Sequence, residues 1–204
     1  MHELDKALAD IRTMRRQMAR STGFRGYGPA TLVVTSVLAV MAAGTQMLVL
    51  PDPSSQINGY LGIWVATAVL CASLTAAQTY MRSRRMHSGM SDEMLHMAIE
   101  QFLPSVGASA LVTFVFLHYL PNALWMLPGF WQLIFSLGVF ASCRFLPRWM
   151  PAAGAWYLLS ALVCFALGDN RALSPWAMGI PFAAGQLLVA GILFFNEQEA
   201  HDEI

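Results

Sequence analysis

Six apolar stretches, each about 20 residues long, divide this chain, and eleven of its twelve Lys and Arg residues fall on one side of them. An apolar run of that length crosses a hydrocarbon core of about 30 Å as a helix, because only a helix or a closed barrel satisfies the backbone there. Basic residues in short flanking loops stay on the cytoplasmic side. Lys6, Arg12, Arg15, Arg16, Arg20, Arg25, Arg82, Arg84, Arg85, Arg144 and Arg148 fall on one side, and Arg171 on the other. The expected fold class is all-α: a polytopic membrane protein with six transmembrane helices in three hairpins and both termini cytoplasmic.

Apolar length and punctuation place the spans. The first runs from about Ala30 to Leu50 and stops at Pro51-Asp52-Pro53, and the second from about Gly59 to Tyr80, before Arg82, Arg84 and Arg85. The third covers Leu103 to Leu120, and Pro121-Asn122 turns it into the fourth, about Leu127 to Cys143. Arg144, Pro147, Arg148 and Pro151 precede the fifth, Ala152 to Leu167. Gly168 to Arg171 then leads to the sixth, Pro175 to Phe195. The organisation expected is a basic amphipathic arm over 1–29, a bundle over 30–196 with a cytoplasmic loop over 81–102, and an acidic cytoplasmic tail over 197–204. Charged residues are 12% of the chain, about half the fraction usual in a soluble domain.

The first 29 residues are charged and lack the apolar core of a signal peptide, so the first span is expected to direct the chain to its membrane. Compact size and an Arg-rich side suit a bacterial inner membrane. Cys71, Cys143 and Cys164 fall at different depths and read as small core residues rather than disulfide partners. Proline enters the first, third and fifth spans, at Pro29, Pro104 and Pro151. This position has a local reason, since its missing N–H would be unpaired at a helix start, so threefold repetition is not required.

Packing expectations follow from small residues. Ala68, Ala72 and Ala76 recur every four residues, with Ser73 and Ala77 beside them, and predict a central second span. Ala39 with Ala43, and Gly138 with Ser142, offer shallow faces suited to packing within the bundle, with a homo-oligomer seam as the lesser use. In the sixth span, Pro181 removes an N–H and crowds the Ala177 carbonyl, predicting a kink flanked by Gly179 and Gly185. Gln186 beside freed carbonyls is the arrangement a solute site at membrane depth would use. Gly179, Pro181, Gln186 and Trp176 are therefore the candidate ligand-binding residues.

Charge at membrane depth is scarce. His118, Glu100 and Arg144 lie near span ends, where they reach the interface, so a buried proton relay is disfavoured. His118 is the one histidine in a span, too few for a membrane haem. Trp64, Trp125, Trp131, Trp176, Tyr60 and Tyr119 toward one side, with Trp149, Trp156 and Tyr80 toward the other, read as aromatic belts.

On the cytoplasmic side, Leu4, Leu8, Ile11, Met14 and Met18 share one helical face, and Arg12, Arg16 and Arg20 form an i, i+4 ladder. An N-terminal amphipathic helix lying on anionic lipid headgroups is expected. A short amphipathic helix starting at Ser91 is expected before the third span, with Met90, Met94 and Met97 on one face and Asp92, Glu93, His96 and Glu100 on the other. Glu93 and His96 have the Glu-x-x-His spacing of carboxylate-bridged metal sites, but no second copy accompanies them, so no metal is assigned and no cofactor expected. The basic arm and the methionine face form the candidate surface for a cytoplasmic protein partner.

No phosphate-binding loop, nucleophile elbow or zinc motif occurs, and the basic residues lack interleaved aromatics, so nucleic-acid binding is unsupported. The expectation is a non-catalytic membrane subunit with a regulatory, sensory or scaffolding role. The alternative is a small permease or carrier for an apolar or neutral solute using the sixth span. An integral-membrane enzyme stands third.

Overall fold

The computed structural model describes residues 29–86, 89–143 and 146–202, without the side chains at 79, 82–86, 89–99, 101, 197 and 199–202. The arm over 1–28, with Arg12, Arg16 and Arg20, lies outside the described residues, as do residues 203–204. Six helices follow one another: α1 Pro29–Val49, α2 Ile57–Met86, α3 Gly89–Tyr119, α4 Leu127–Ser142, α5 Met150–Leu167 and α6 Pro175–Asp202. Six helical segments are long and apolar enough to cross a membrane, as a multi-pass membrane protein requires, the fourth of them, Pro121–Ser142, including a 3-10 stretch ahead of α4. No strand occurs among the described residues.

Boundaries follow local chemistry. Proline sits in the first turn of α4 and α5, where its missing donor costs nothing. α5 ends at Gly168, whose φ of 67° is the left-handed conformation that a Cβ disfavours. Two 3-10 segments, Pro121–Met126 and Asn170–Leu173, close the turns into α4 and α6. Asp169 caps the second by accepting from the Arg171 backbone N–H at 2.8 Å and from its guanidinium at 2.9 Å. Those bonds hold the Asp169 carboxyl below its usual range, so the cap persists above the ordinary carboxylate pKa and is lost as pH falls through the depressed one.

The separate short helix expected before the third span is continuous with it: α3 runs without interruption from Gly89 through Pro104 to Tyr119. Met90, Met94, Met97, Glu93 and His96 lie on this extension, with side chains outside the described set. Neither α2 nor α3 stops where its apolar part does. α2 continues from 79 to 86 beyond its apolar window and α3 begins at 89, ahead of Phe102. At about 1.5 Å per residue the extensions are ~12 Å and ~20 Å long.

Within each expected hairpin, α1/α2, α3/α4 and α5/α6, the two helices touch, but the most extensive packing joins α1 to α6 and α4 to α5. Small side chains explain both. Ala39 and Ala43 of α1 are buried, and a methyl added at Gly179 of α6 would lie 2.7 Å from the Ala43 Cβ. The Ser136 hydroxyl of α4 donates to the Gly154 carbonyl of α5 at 2.8 Å, and a methyl at Gly154 would meet the Phe140 ring. Gly138 takes Phe102 and Ser105 of α3 in the same way. The shallow faces of α1 and α4 thus serve packing within the bundle.

The expectation of a central second span is corrected. Ala68, Ala72, Ser73, Ala76 and Ala77 are all exposed, and in α2 burial among the described residues is confined to Tyr60 and Trp64. A small-residue stripe permits close approach but does not compel it; here the helices that use the opportunity are α1, α4, α5 and α6. α3 is equally marginal, with Phe116 its one buried residue among those described.

Burial also differs between the two ends. Toward the end carrying Asp169, helices from across the chain meet in one cluster: Ala42, Ala43, Leu50, Tyr60, Trp64, Leu173 and Met178, with Trp125, Trp131 and Phe182 against it. Toward the opposite end the cluster is built from α1, α4, α5 and α6, around Leu32, Met150, Ala153, Ala190 and Leu193. Tyr60 and Trp64 are therefore core residues rather than members of an aromatic belt. Tyr60 is stacked on Trp131 at 6.4 Å between centroids and is fully buried. Trp176 and Tyr119 keep the exposure a belt requires.

Candidate functional site

Helix α6 is where the bundle concentrates its polar contacts. Pro181 lies inside it, is buried, and has no N–H to offer the carbonyl of Ala177 four residues earlier. In an apolar surrounding, an unpaired carbonyl costs free energy comparable to a lost hydrogen bond. The Gln132 side chain of α4 fills this role: Nε2 donates to the Ala177 oxygen at 2.8 Å. The same nitrogen lies 3.5 Å from Cys164 Sγ and 3.6 Å from Met178 Sδ. The Cys164 thiol approaches the Ala177 oxygen as well, at 3.7 Å.

Two further carbonyls of α6 receive side chains from other helices. The Trp156 indole of α5 donates to the Pro181 oxygen at 2.9 Å, and the Ser36 hydroxyl of α1 donates to the Ala183 oxygen at 3.0 Å. Helices α1, α4 and α5 thus all anchor α6 through side-chain donors near its proline. The helix itself runs unbroken from Pro175 to Asp202. Just before it, the fully buried Gln46 of α1 donates to the Leu173 carbonyl at 2.7 Å and accepts from the Trp64 indole at 2.7 Å.

These contacts form a layer near the Asp169 end. At about 1.5 Å per residue, Tyr60 lies ~5 Å into α2, Gln132 ~8 Å into α4, Cys164 ~5 Å from the end of α5 and Ala177 ~3 Å into α6. Below it lies an aromatic layer of Phe135, Tyr157 and Phe182, with centroids 4.7 to 5.5 Å apart. A methyl added at Gly185 would enter the Tyr157 ring, so the absence of a side chain there makes room for the tyrosine.

The candidate residues from the sixth span do not meet in one place. Gly179 is buried against Ala43 of α1, and Pro181 presents its carbonyl to Trp156 of α5. Gln186 is half-buried, with no hydrogen bond among the described residues. Trp176 is exposed at the edge of the bundle. The amide at the freed carbonyl belongs to Gln132. Sequence could have indicated it: the donor must lie near the start of the sixth span, a depth that Gln132 shares and Gln186, further along the same helix, does not.

Three fully buried side-chain polar atoms have no hydrogen-bond partner among the described residues: the hydroxyls of Tyr60 and Tyr157, and Oε1 of Gln132. No group of three or more His, Cys, Asp or Glu side chains suited to a metal occurs among the described residues. No family model, curated protein or solved structure matches the chain.

Proposed function

We propose that this chain is a non-catalytic integral membrane subunit, resident in a bacterial inner membrane, that presents a regulatory or scaffolding surface to a cytoplasmic protein. The observation that carries the reading is the pair of helical extensions on α2 and α3, which continue past the apolar segments. Helices that stop at the lipid boundary serve spanning alone; helices that continue ~12 and ~20 Å hold side chains clear of it. Met90, Met94 and Met97 lie on this projection, and methionine suits adaptable protein contacts. The interior supports the same reading, since Gln46, through both of its polar atoms, and Gln132, through its nitrogen, are engaged in holding helices together.

The orientation proposed places the arm, the 81–102 loop and the C-terminal tail in the cytoplasm, on the warrant of the eleven-to-one distribution of basic residues. A reporter fused after Ile204 or inserted near Ser88 is expected to be cytoplasmic, and one near Ser55 or Asn170 external. A periplasmic signal from the Ile204 fusion would overturn the six-span orientation.

The role is tested by in-cell photocrosslinking from Met94 and, as a lipid-facing control, from the exposed Met47. A discrete cytoplasmic protein adduct from position 94, absent from position 47 and lost when Met90 and Met97 become Lys, is the expected result. Identical adduct patterns from the two positions, or solute flux through the purified protein in liposomes, would refute the reading.

A further inference from the structure

The unpartnered atoms of the Asp169-end layer are chemically complementary. Gln132 cannot exchange its oxygen and nitrogen, because the Ala177 carbonyl needs a donor at 2.8 Å and an oxygen there would repel it. Oε1 is thus fixed as an acceptor with no donor facing it. Tyr60 brings a hydroxyl, able to donate or accept, equally buried and equally unpaired. Two observations put these residues in one neighbourhood. Tyr60 is stacked on Trp131, the residue before Gln132. It shares a packed cluster with Met178, whose sulfur lies 3.6 Å from Gln132 Nε2.

We propose that this layer binds one small uncharged hydrogen-bonding molecule, of the size of water or ammonia, which donates to Gln132 Oε1 and is bonded to the Tyr60 hydroxyl. The proposal is independent of the cytoplasmic role. Two strong partners meet the lower end of the range that holds a buried water. The ligand is uncharged because Asp, Glu, Lys and Arg are absent from 57–78, 127–142, 150–167 and 175–196, so an ion would have no counter-charge in these spans. Without such a molecule the two atoms would be left with their full desolvation cost, which native interiors seldom retain.

Tyr60→Phe tests this, since it deletes one oxygen and keeps the ring stacked on Trp131. Thermal unfolding of the full chain in nanodiscs is expected to shift down by about 2–4 °C, the scale of one lost hydrogen bond in a chain of this size. Were the hydroxyl unpaired, its removal would leave the midpoint unchanged or raise it, and either result would overturn the proposal. Infrared difference spectra between wild type and Tyr60→Phe identify the ligand. A band that moves in H2(18)O assigns water, and one that moves only after equilibration with 15N-labelled ammonia assigns ammonia. No isotope-sensitive difference in either arm would also overturn it. If the variant does not fold, the wild-type isotope spectra decide alone: a band from water or ammonia held against exchange with bulk supports the site, and no such band refutes it.

Discussion

Ala43→Leu is expected to destabilise the bundle severely, whereas Ala72→Leu is expected to leave its stability unchanged. Ala43 is fully buried, and its Cβ would lie 2.7 Å from a methyl group built on Gly179, so α1 and α6 approach about as closely as side chains permit. Three added carbons at Ala43 have no space without separating the most extensively packed pair of helices. Overpacking of this kind costs about 1–3 kcal/mol, with more where the backbone cannot yield. The polar contacts across the seam add to the effect, since the Ser36 hydroxyl must stay 3.0 Å from the Ala183 oxygen of α6. Ala72 lies on the exposed face of α2, where a larger apolar side chain meets lipid. Equal melting temperatures for the two variants in detergent would show that the α1/α6 contact is not the centre of the fold.

The contrast between these alanines marks where sequence reading stops. The spans were legible because apolar length and Pro or Gly punctuation are local properties. α1 begins at Pro29 and α6 at Pro175, within a residue of the expected positions. Which face of each helix turns inward was not legible, because lipid is as apolar as the core and no polar face distinguishes them. Ala68, Ala72 and Ala76 present the same pattern as Ala39 and Ala43, and only the second set found a glycine opposite. For the same reason Tyr60 and Trp64 passed for belt residues: near a span end, an aromatic residue facing lipid and one facing the core look alike. The helical extensions were half legible, as a short helix at Ser91 whose continuity with the third span was hidden by Pro104. The polar layer was the least accessible, because the proline and the amide that answers it stand on different helices, 49 positions apart in the chain.

Gln132→Leu and Pro181→Ala are expected to be strongly non-additive, and this tests the organisation of the layer directly. In the native chain Pro181 leaves the Ala177 carbonyl without its helical donor, and Gln132 supplies one at 2.8 Å. Gln132→Leu keeps approximate bulk but removes the amide, stranding that carbonyl in an apolar setting at a cost of about 1–3 kcal/mol. Pro181→Ala restores an N–H four residues after Ala177, in a helix already regular on both sides. In that background the carbonyl is partnered whether or not Gln132 is present. The cost of Gln132→Leu should then fall to the ordinary worth of a membrane interhelical hydrogen bond, about 0.6 kcal/mol, or below. Residues that share a partner couple by about 0.5–3 kcal/mol, so the cycle should give a term near the middle of that range. Trp156 provides the control: its indole donates to the backbone oxygen of position 181, which is present in either background, so Trp156→Phe should cost the same in the native chain and in the Pro181→Ala variant. An additive Gln132/Pro181 cycle would mean that the amide contributes nothing through the carbonyl the proline sets free.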